Sequence, residues 1–163
     1  METGGETVIA AIERSALATA MREELWLYPC VEILHILGFV MLVGAIALLD
    51  LRLLGFSRQL PVRGLMRHLL PWALAAVMVI VPTGLLMVLA HATDLVANRA
   101  FVAKLSLIFA AGINFAAFHV GPYRTVEQWD SGAAAPATAK LHAVLSLIIW
   151  TGVILCGRLL AYL

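Results

Sequence analysis

Four ionisable residues lie inside or at the edge of long apolar stretches of this sequence: Glu32, His35, Lys104 and Arg158. A charged group or an imidazole in hydrocarbon costs several kcal/mol unless it is paired, so residues of this kind indicate a binding or reaction site. Glu32 and His35 are three residues apart and therefore share one face of a helix. An acid, an imidazole and two cations could form an ion-paired core, bind an anion or hold the polar groups of a cofactor.

The elements that must position these residues are four apolar stretches, at about residues 26–54, 69–90, 101–120 and 141–163. Each has roughly the 20 residues that a helix needs to cross a bilayer. The runs are continuous rather than alternating, which excludes a membrane barrel. Hydrophobic residues make up 63% of the chain and charged residues 13%, with a mean hydropathy of +0.97. The sequence therefore predicts an all-α polytopic membrane protein whose main partner is the lipid bilayer.

Nucleic acid is excluded as a partner, since the net charge of +1 provides no basic surface. The short connections predict that residues 26–163 form a single four-helix antiparallel bundle. Before it, residues 1–25 form a separate segment, in which Thr7 to Glu24 mixes apolar and charged residues. That mixture predicts a short amphipathic helix lying along the membrane interface.

Basic residues favour one side of the membrane. The first linker carries Arg58, Arg63 and Arg67, and the third carries Arg124 and Lys140. Because positive loops stay in the cytoplasm, both termini are predicted on the other side. For a bacterial protein this means the inner membrane, with periplasmic termini.

Depth separates the polar residues into two levels. With a rise of about 1.5 Å per residue, Glu32, His35, Lys104 and Arg158 all lie roughly 9 to 15 Å from the midplane, on the outer side. Lys104 and Arg158 have side chains long enough to reach the headgroups, which is an alternative role for them. His35 is too short for that. It is therefore predicted to face the interior, with Glu32, Lys104 or Arg158 as its partner.

On the inner side, histidines lie near the ends of three spans: His68, His119 and His142. Imidazoles at matching depth on neighbouring helices are what bis-histidine ligation of a b-type haem requires, although histidine is also at home at membrane interfaces. His91, at the outer end of the second span, is a further candidate beside His35. His142 and Arg158 are sixteen residues apart and hence on nearly opposite faces of one helix, so only one of them can face the interior.

Several short motifs together resemble a known family. They are Trp26-x-Tyr28-Pro29-x-x-Glu32-x-x-His35, Asp50-Leu51-Arg52-Leu53-Leu54-Gly55, Pro82-Thr83-Gly84, Asn98-x-x-Phe101-x-x-Lys104, Asn114, Phe118-His119 and Gly157-Arg158-x-x-Ala161-Tyr162. From about Trp26 to Tyr162 the chain is similar to an uncharacterised family of small bacterial inner-membrane proteins, a domain of unknown function. The resemblance implies no activity. It does imply that Glu32, His35, Lys104, His119 and Arg158 belong to the family pattern, whereas His68, His91 and His142 do not match it.

Two functional hypotheses follow, and whether the protein is an enzyme stays open. The first is a redox protein with a general similarity to b-type cytochrome bundles, or a quinone-binding subunit for electron transfer. In it His35 and His119 are the candidate ligands of a haem iron, or His35 binds a quinone, while Lys104 and Arg158 hold propionates or a quinone anion. The second is a non-enzymatic membrane subunit or a carrier of small solutes or anions, in which another membrane protein, a periplasmic protein or a second copy of the chain takes part.

Overall fold

A computed structural model describes the backbone of residues 3–160 and 162, and the side chains from residue 8 onward within that range. The described elements are all helical: α1 (Thr3–Glu13), α2 (Ala16–Glu23), α3 (Leu27–Leu54), α4 (Val62–Ala90), α5 (Ala92–Ala97), α6 (Arg99–Val120), a 3-10 helix (Pro122–Gln128) and α7 (Ala137–Leu159). Of these, α3, α4, α6 and α7 are long and apolar enough to cross a membrane. The prediction of an all-α protein with four membrane-spanning helices is confirmed. We call the end at which α3 begins the outer end, and the opposite end the inner end.

The four long helices lie in the order α4, α3, α7, α6. Contacts are extensive between α3 and α4 and between α6 and α7, and α3 also packs against α7. In the part of the chain that the structure describes, α4 and α6 do not pack extensively against each other. A short connection between these two spans therefore does not by itself bring them side by side. The short helix α5 bridges the outer ends of α4 and α6 instead, contacting both of them.

Small residues allow the close approach of α3 and α4. A methyl group added at Gly38 would lie 3.0 Å from Cγ1 of Ile80 and 3.4 Å from the carbonyl oxygen of Ala76. Ala76 itself is fully buried. Because the backbones meet here, the register of the two helices is fixed at this level, a few turns from the outer end.

An apolar layer closes the inner end. It comprises the buried side chains Leu53, Val62, Met66, Phe118, Val126, Trp129, Ala135, Ala139 and Ala143. These residues come from all four long helices and from the connection between α6 and α7. We call them the inner apolar layer, since they separate the interior of the bundle from the inner loops.

Arg52 ties the inner loops together. It is only 2% exposed, and its Nε donates to the carbonyl oxygen of Leu60 at 2.6 Å. One of its terminal nitrogens donates to the carbonyl oxygens of Arg58 and Asp130, both at 3.0 Å. The backbone N–H of Val62 donates to the same Asp130 oxygen at 2.9 Å. The α3–α4 connection and the α6–α7 connection are thus held as one unit.

The N-terminal segment covers the outer end of α4 and α5. It forms two helices rather than the single one predicted, because Ser15 caps α2 by accepting the N–H of Ala18 at 3.3 Å. The carboxylate of Glu13 accepts the backbone N–H of Thr93 at 2.7 Å and its hydroxyl at 2.9 Å. Met21 is buried among residues of α3 and α4. The interfacial position of this segment stays a prediction, to which its exposed apolar residues are suited: Val8, Ile12 and Leu17.

Candidate functional site

His35 is held by a hydrogen bond between α3 and α4. Its Nδ1 lies 3.0 Å from Oγ1 of Thr83. The Thr83 hydroxyl donates its hydrogen to the carbonyl oxygen of Val79 at 2.6 Å, with Ile80 the next acceptor at 3.1 Å. With its hydrogen engaged, Oγ1 can only accept from the imidazole. Nδ1 therefore carries the ring proton and Nε2 is the unprotonated nitrogen of the neutral ring.

The motif Pro82-Thr83-Gly84 creates the seat for this imidazole. A methyl group at Gly84 would lie 3.0 Å from Cε1 of His35, so only glycine lets the ring lie directly against α4. Pro82 has no N–H to donate to the carbonyl oxygen of Met78, one turn earlier in α4. The Thr83 hydroxyl does not replace that donor: it donates to the carbonyl oxygen of Val79, with that of Ile80 next, and it accepts from His35.

Lys104 approaches from the opposite side, on α6. Its side chain is half-buried and runs along α7, with Nζ 3.5 Å from the position that a methyl group on Gly157 would take. Among the described residues, no side chain or carbonyl forms a hydrogen bond with this ammonium group. Its charge is close enough to act on His35. We call His35, Thr83 and Lys104 the outer polar site.

The structure brings only part of the predicted cluster together. Glu32 is exposed on the surface of α3, although its charge also acts on His35. Arg158 is exposed, donates to the hydroxyl of Tyr162 at 2.5 Å and lies over that ring, 4.8 Å from its centre. Arg158 thus does not take part in the outer polar site.

His119 lies at the other end of the bundle. It is the penultimate residue of α6, and its Nδ1 is 2.9 Å from the carbonyl oxygen of Phe115. Its ring packs beside those of Phe115 and Tyr123. From the rise of the two helices, His35 and His119 are separated by roughly 15 to 20 Å along the membrane normal. The two predicted haem ligands are therefore not placed to share one iron.

The other histidines also occupy separate positions. His68 is exposed in the first turns of α4, and His91 ends that helix with its ring edge-on to Tyr28. Within the part of the chain that the structure describes, no group of three His, Cys, Asp or Glu side chains is placed to hold a metal ion.

A second polar group, which sequence reasoning did not assemble, borders the inner apolar layer. Asp50 of α3 is 5% exposed, and its carboxyl group faces the buried Ser146 hydroxyl of α7. One turn earlier on α7, Nδ1 of His142 lies 2.7 Å from Oδ1 of Asn114, whose Nδ2 donates to the His142 carbonyl oxygen at 3.0 Å. We call Asp50, Ser146, His142 and Asn114 the inner polar line.

The sequence carried a signal for this line. Asp50 falls four residues before the end of a long apolar helix, within the membrane-spanning length of α3. The positions of His142 and Arg158 on nearly opposite faces of α7 were a further signal, because the two side chains cannot both face inward. The structure places His142 between helices and leaves Arg158 exposed.

Comparison with known proteins gives a family without an activity. The model of DUF6644, a family of unknown function, matches residues 27–163. The chain belongs to that family. No curated protein and no solved structure matches it. The DUF6644 region begins at α3, so both polar groups lie inside it and the two N-terminal helices precede it.

The outer polar site of this DUF6644 chain presents two complementary groups. Nε2 of His35 can accept a hydrogen bond, and the ammonium group of Lys104 can donate up to three or stabilise a negative charge. Both are held on long helices rather than on loops. A hydroxyl group together with a carbonyl or anionic oxygen would be chemically complementary to these two groups.

Proposed function

We propose that this protein binds the head group of a quinone in the outer half of the membrane. The observation that carries the proposal is the pairing of an oriented imidazole, His35, with the half-buried and unbonded ammonium group of Lys104. A quinol hydroxyl would donate to Nε2 of His35, and an oxygen of the oxidised or anionic form would accept from Lys104. Thr83 fixes the tautomer that makes Nε2 an acceptor.

Access from the lipid supports a lipophilic ligand over a water-soluble one. The two groups lie on α3 and α6, and α4 and α6 do not pack extensively against each other in the described structure. The helix faces around this level are rich in exposed apolar side chains, including Leu85 and Leu105. The surface depressions at the outer rim contain neither His35 nor Lys104. A ligand would thus enter sideways between α4 and α6.

Quinone binding is favoured over a bis-histidine haem because the second imidazole is missing from the level of His35. His119 lies too far away, and His91 is engaged with Tyr28 at the helix end. A haem held by His35 alone is a distinct outcome that the same preparation would reveal by its Soret absorption. In the proposed function a partner membrane or periplasmic protein supplies or receives the electrons.

The test is a titration of the purified, detergent-solubilised protein with a short-chain benzoquinone, read as a shift in melting temperature. We expect stabilisation of the wild type and its loss in His35→Asn and in Lys104→Met. His35→Asn keeps a donor for Thr83 while removing the Nε2 acceptor, so it separates binding from folding. Matched controls are His119→Ala and Arg158→Met, which remove an imidazole and a cation outside the site and should leave the shift intact.

Two results would overturn the proposal. One is the absence of any quinone-dependent shift in the wild type. The other is equal loss in Lys104→Met and Arg158→Met, which would indicate a general effect of charge. Stabilisation by small inorganic anions without any response to quinone would favour the carrier hypothesis.

We further propose a bacterial inner-membrane location with both termini in the periplasm. The described structure supports a common side for the basic connections, since Arg58 and Arg63 contact the loop that contains Asp130. In a background with both cysteines replaced, a membrane-impermeant maleimide should label Glu24→Cys in intact cells and leave Ala133→Cys unlabelled. The reverse pattern would invert the orientation.

A further inference from the structure

We infer that Asp50 is a proton-binding site inside the membrane. This inference does not depend on the proposed quinone function. It starts from a carboxyl group that is 5% exposed and whose Oδ2 has no hydrogen-bond partner. A carboxylate in such a place would leave an uncompensated charge in a medium of low dielectric constant, which costs several kcal/mol. A protonated carboxyl group avoids that cost.

Among the residues that the structure describes, no counter-charge acts on Asp50 to stabilise the ionised form. The group that acts on it there is the Ser146 hydroxyl of α7. Arg52 lies two residues further along α3, on another face, and its hydrogen bonds run to the inner loops. From α4 and α6, no charged side chain in the described structure acts on this carboxyl group.

The inner polar line offers a route for the proton. The Asn114 amide is oriented by donating Nδ2 to the His142 carbonyl oxygen, so its Oδ1 must accept from Nδ1–H of His142. Nε2 of His142 is therefore a free proton acceptor. Ser146 lies one turn further along the same face of α7. Deprotonation breaks the O–H bond of Asp50 and delivers the proton through the Ser146 hydroxyl to Nε2 of His142, giving a carboxylate and an imidazolium.

A proton fits this site better than a metal cation does. Two oxygen-bearing side chains, Asp50 and Ser146, meet here, whereas a hard cation takes about six oxygen ligands. The inner apolar layer also separates the carboxyl group from the inner loops. The inner polar line thus has the features of a site that binds a proton and exchanges it only through neighbouring side chains.

The experiment compares the full chain in detergent with its Asp50→Asn variant between about pH 5 and pH 9. The folded state keeps the carboxyl proton over a pH range in which the unfolded chain has lost it. The wild-type melting temperature should therefore fall by about 5 °C or more as the pH rises through that range, and level off once Asp50 ionises in the folded protein. Asp50→Asn mimics the protonated acid and should lose that fall. Asp94→Asn, which removes an exposed acid of α5, is the matched control and should behave like the wild type.

A second measurement keeps the inference testable if Asp50→Asn folds poorly. Infrared spectroscopy should show the C=O stretching band of a protonated carboxylic acid at neutral pH, shifted by deuteration and altered in Ser146→Ala. Absence of this band in the wild type would overturn the inference. Parallel pH profiles of wild type and Asp50→Asn, or stabilisation by sodium over choline that requires Asp50, would overturn it as well.

Discussion

The outer and inner halves of this protein each contain a histidine whose Nδ1 is fixed by a neighbouring helix, and they differ in what surrounds it. His35 is bonded to Thr83 beside the cation Lys104, whereas His142 is bonded to Asn114 one turn from Ser146 and its partner Asp50. In both histidines, the hydrogen bond at Nδ1 leaves Nε2 available as an acceptor. The outer histidine is thereby suited to a ligand hydroxyl group, with Lys104 available for a second, anionic or carbonyl oxygen, and the inner one is suited to a proton.

The two halves also differ in how tightly they are closed. The inner half has an apolar layer to which all four long helices contribute, and below it Arg52 joins two loops. In the outer half, the buried apolar cluster of the described residues comprises Met21, Val31 and Ala90, so α6 and α7 contribute no buried residue to it, and the N-terminal helices cover one side. A site that exchanges a lipid-soluble ligand needs the second arrangement, and a site that stores a proton needs the first.

The largest effect is expected from removing the hydrogen bonds by which Arg52 joins the two inner connections. Arg52→Met eliminates the three hydrogen bonds that its charged guanidinium group makes to loop carbonyls. Hydrogen bonds to charged groups contribute about 1.5 to 3 kcal/mol each, so we expect a loss of about 3 kcal/mol or more in the free energy of unfolding. The measurement is denaturant or thermal unfolding in detergent. Arg67→Met, at an exposed position of α4, is the control.

Arg52→Lys sharpens the same comparison. It preserves the positive charge and removes the planar fork that reaches three carbonyls. If Arg52→Lys is as stable as the wild type, the positive charge stabilises the protein and the hydrogen-bonding geometry of the guanidinium group does not. We expect it to fall between the wild type and Arg52→Met.

In the outer half, a side chain at position 84 should displace His35. The Cβ of Gly84→Val would lie 3.0 Å from the imidazole, so the ring must move away from Thr83. Overpacking of this kind costs about 1 to 3 kcal/mol. We also expect loss of the quinone-dependent shift in melting temperature. A substitution that lowered stability without displacing His35 would leave that shift in place. Gly44→Ala, on α3 with nothing within 4 Å of the added methyl group, should be neutral for both measurements.

In the inner half, Asn114→Leu should release His142. The variant removes two hydrogen bonds between α6 and α7. Oδ1 of Asn114 lies 2.7 Å from Nδ1 of His142, and Nδ2 of Asn114 donates to the His142 carbonyl oxygen at 3.0 Å. A cost of about 1 to 2 kcal/mol is expected for two neutral hydrogen bonds between partly buried groups. Nitrogen NMR of labelled histidine should show a mixture of tautomers in place of the single Nδ1–H form. A single unchanged tautomer would mean that Asn114 does not orient the ring.

The sequence predicted the elements well because hydrocarbon imposes strong limits on length and composition. The spans and the inward position of His35 both followed from the cost of placing polar groups in the membrane. The order α4, α3, α7, α6 did not follow, since loop length permits neighbouring helices without requiring that they touch. The short helix α5 connects the separated helices α4 and α6, and the hydrophobic periodicity of the spans does not predict its length.

The candidate site was predictable in part for a similar reason. Depth along a helix can be read from residue number, so His35 and Lys104 could be predicted at one level. Direction around the helix is less certain where nearly every neighbour is apolar, and Arg158 turned outward to Tyr162. Asp50 was missed because it lies close to a helix end, where an acid on the surface and an acid in the interior have the same sequence signature.

The smallest predicted effect concerns the cover of the outer half. Hydrogen bonds from the backbone N–H and then the hydroxyl of Thr93 lower the pKa of Glu13. Its contribution to folding is therefore present above the ordinary carboxyl pKa of 4.5, and is lost as the pH falls through the lower value of the folded protein. Hydrogen exchange at the Thr93 amide should accelerate relative to the rest of α5 as the solution is acidified below about pH 4. Glu13→Gln should show faster exchange already at neutral pH and no further acid-dependent change, whereas the exposed acid variant Glu23→Gln should follow the wild type. An unchanged Thr93 amide in Glu13→Gln would show that the N-terminal helices are held on the bundle without Glu13, by the burial of Ala18 and Met21 and by the hydrogen bond from Arg22 to the carbonyl oxygen of Ala90.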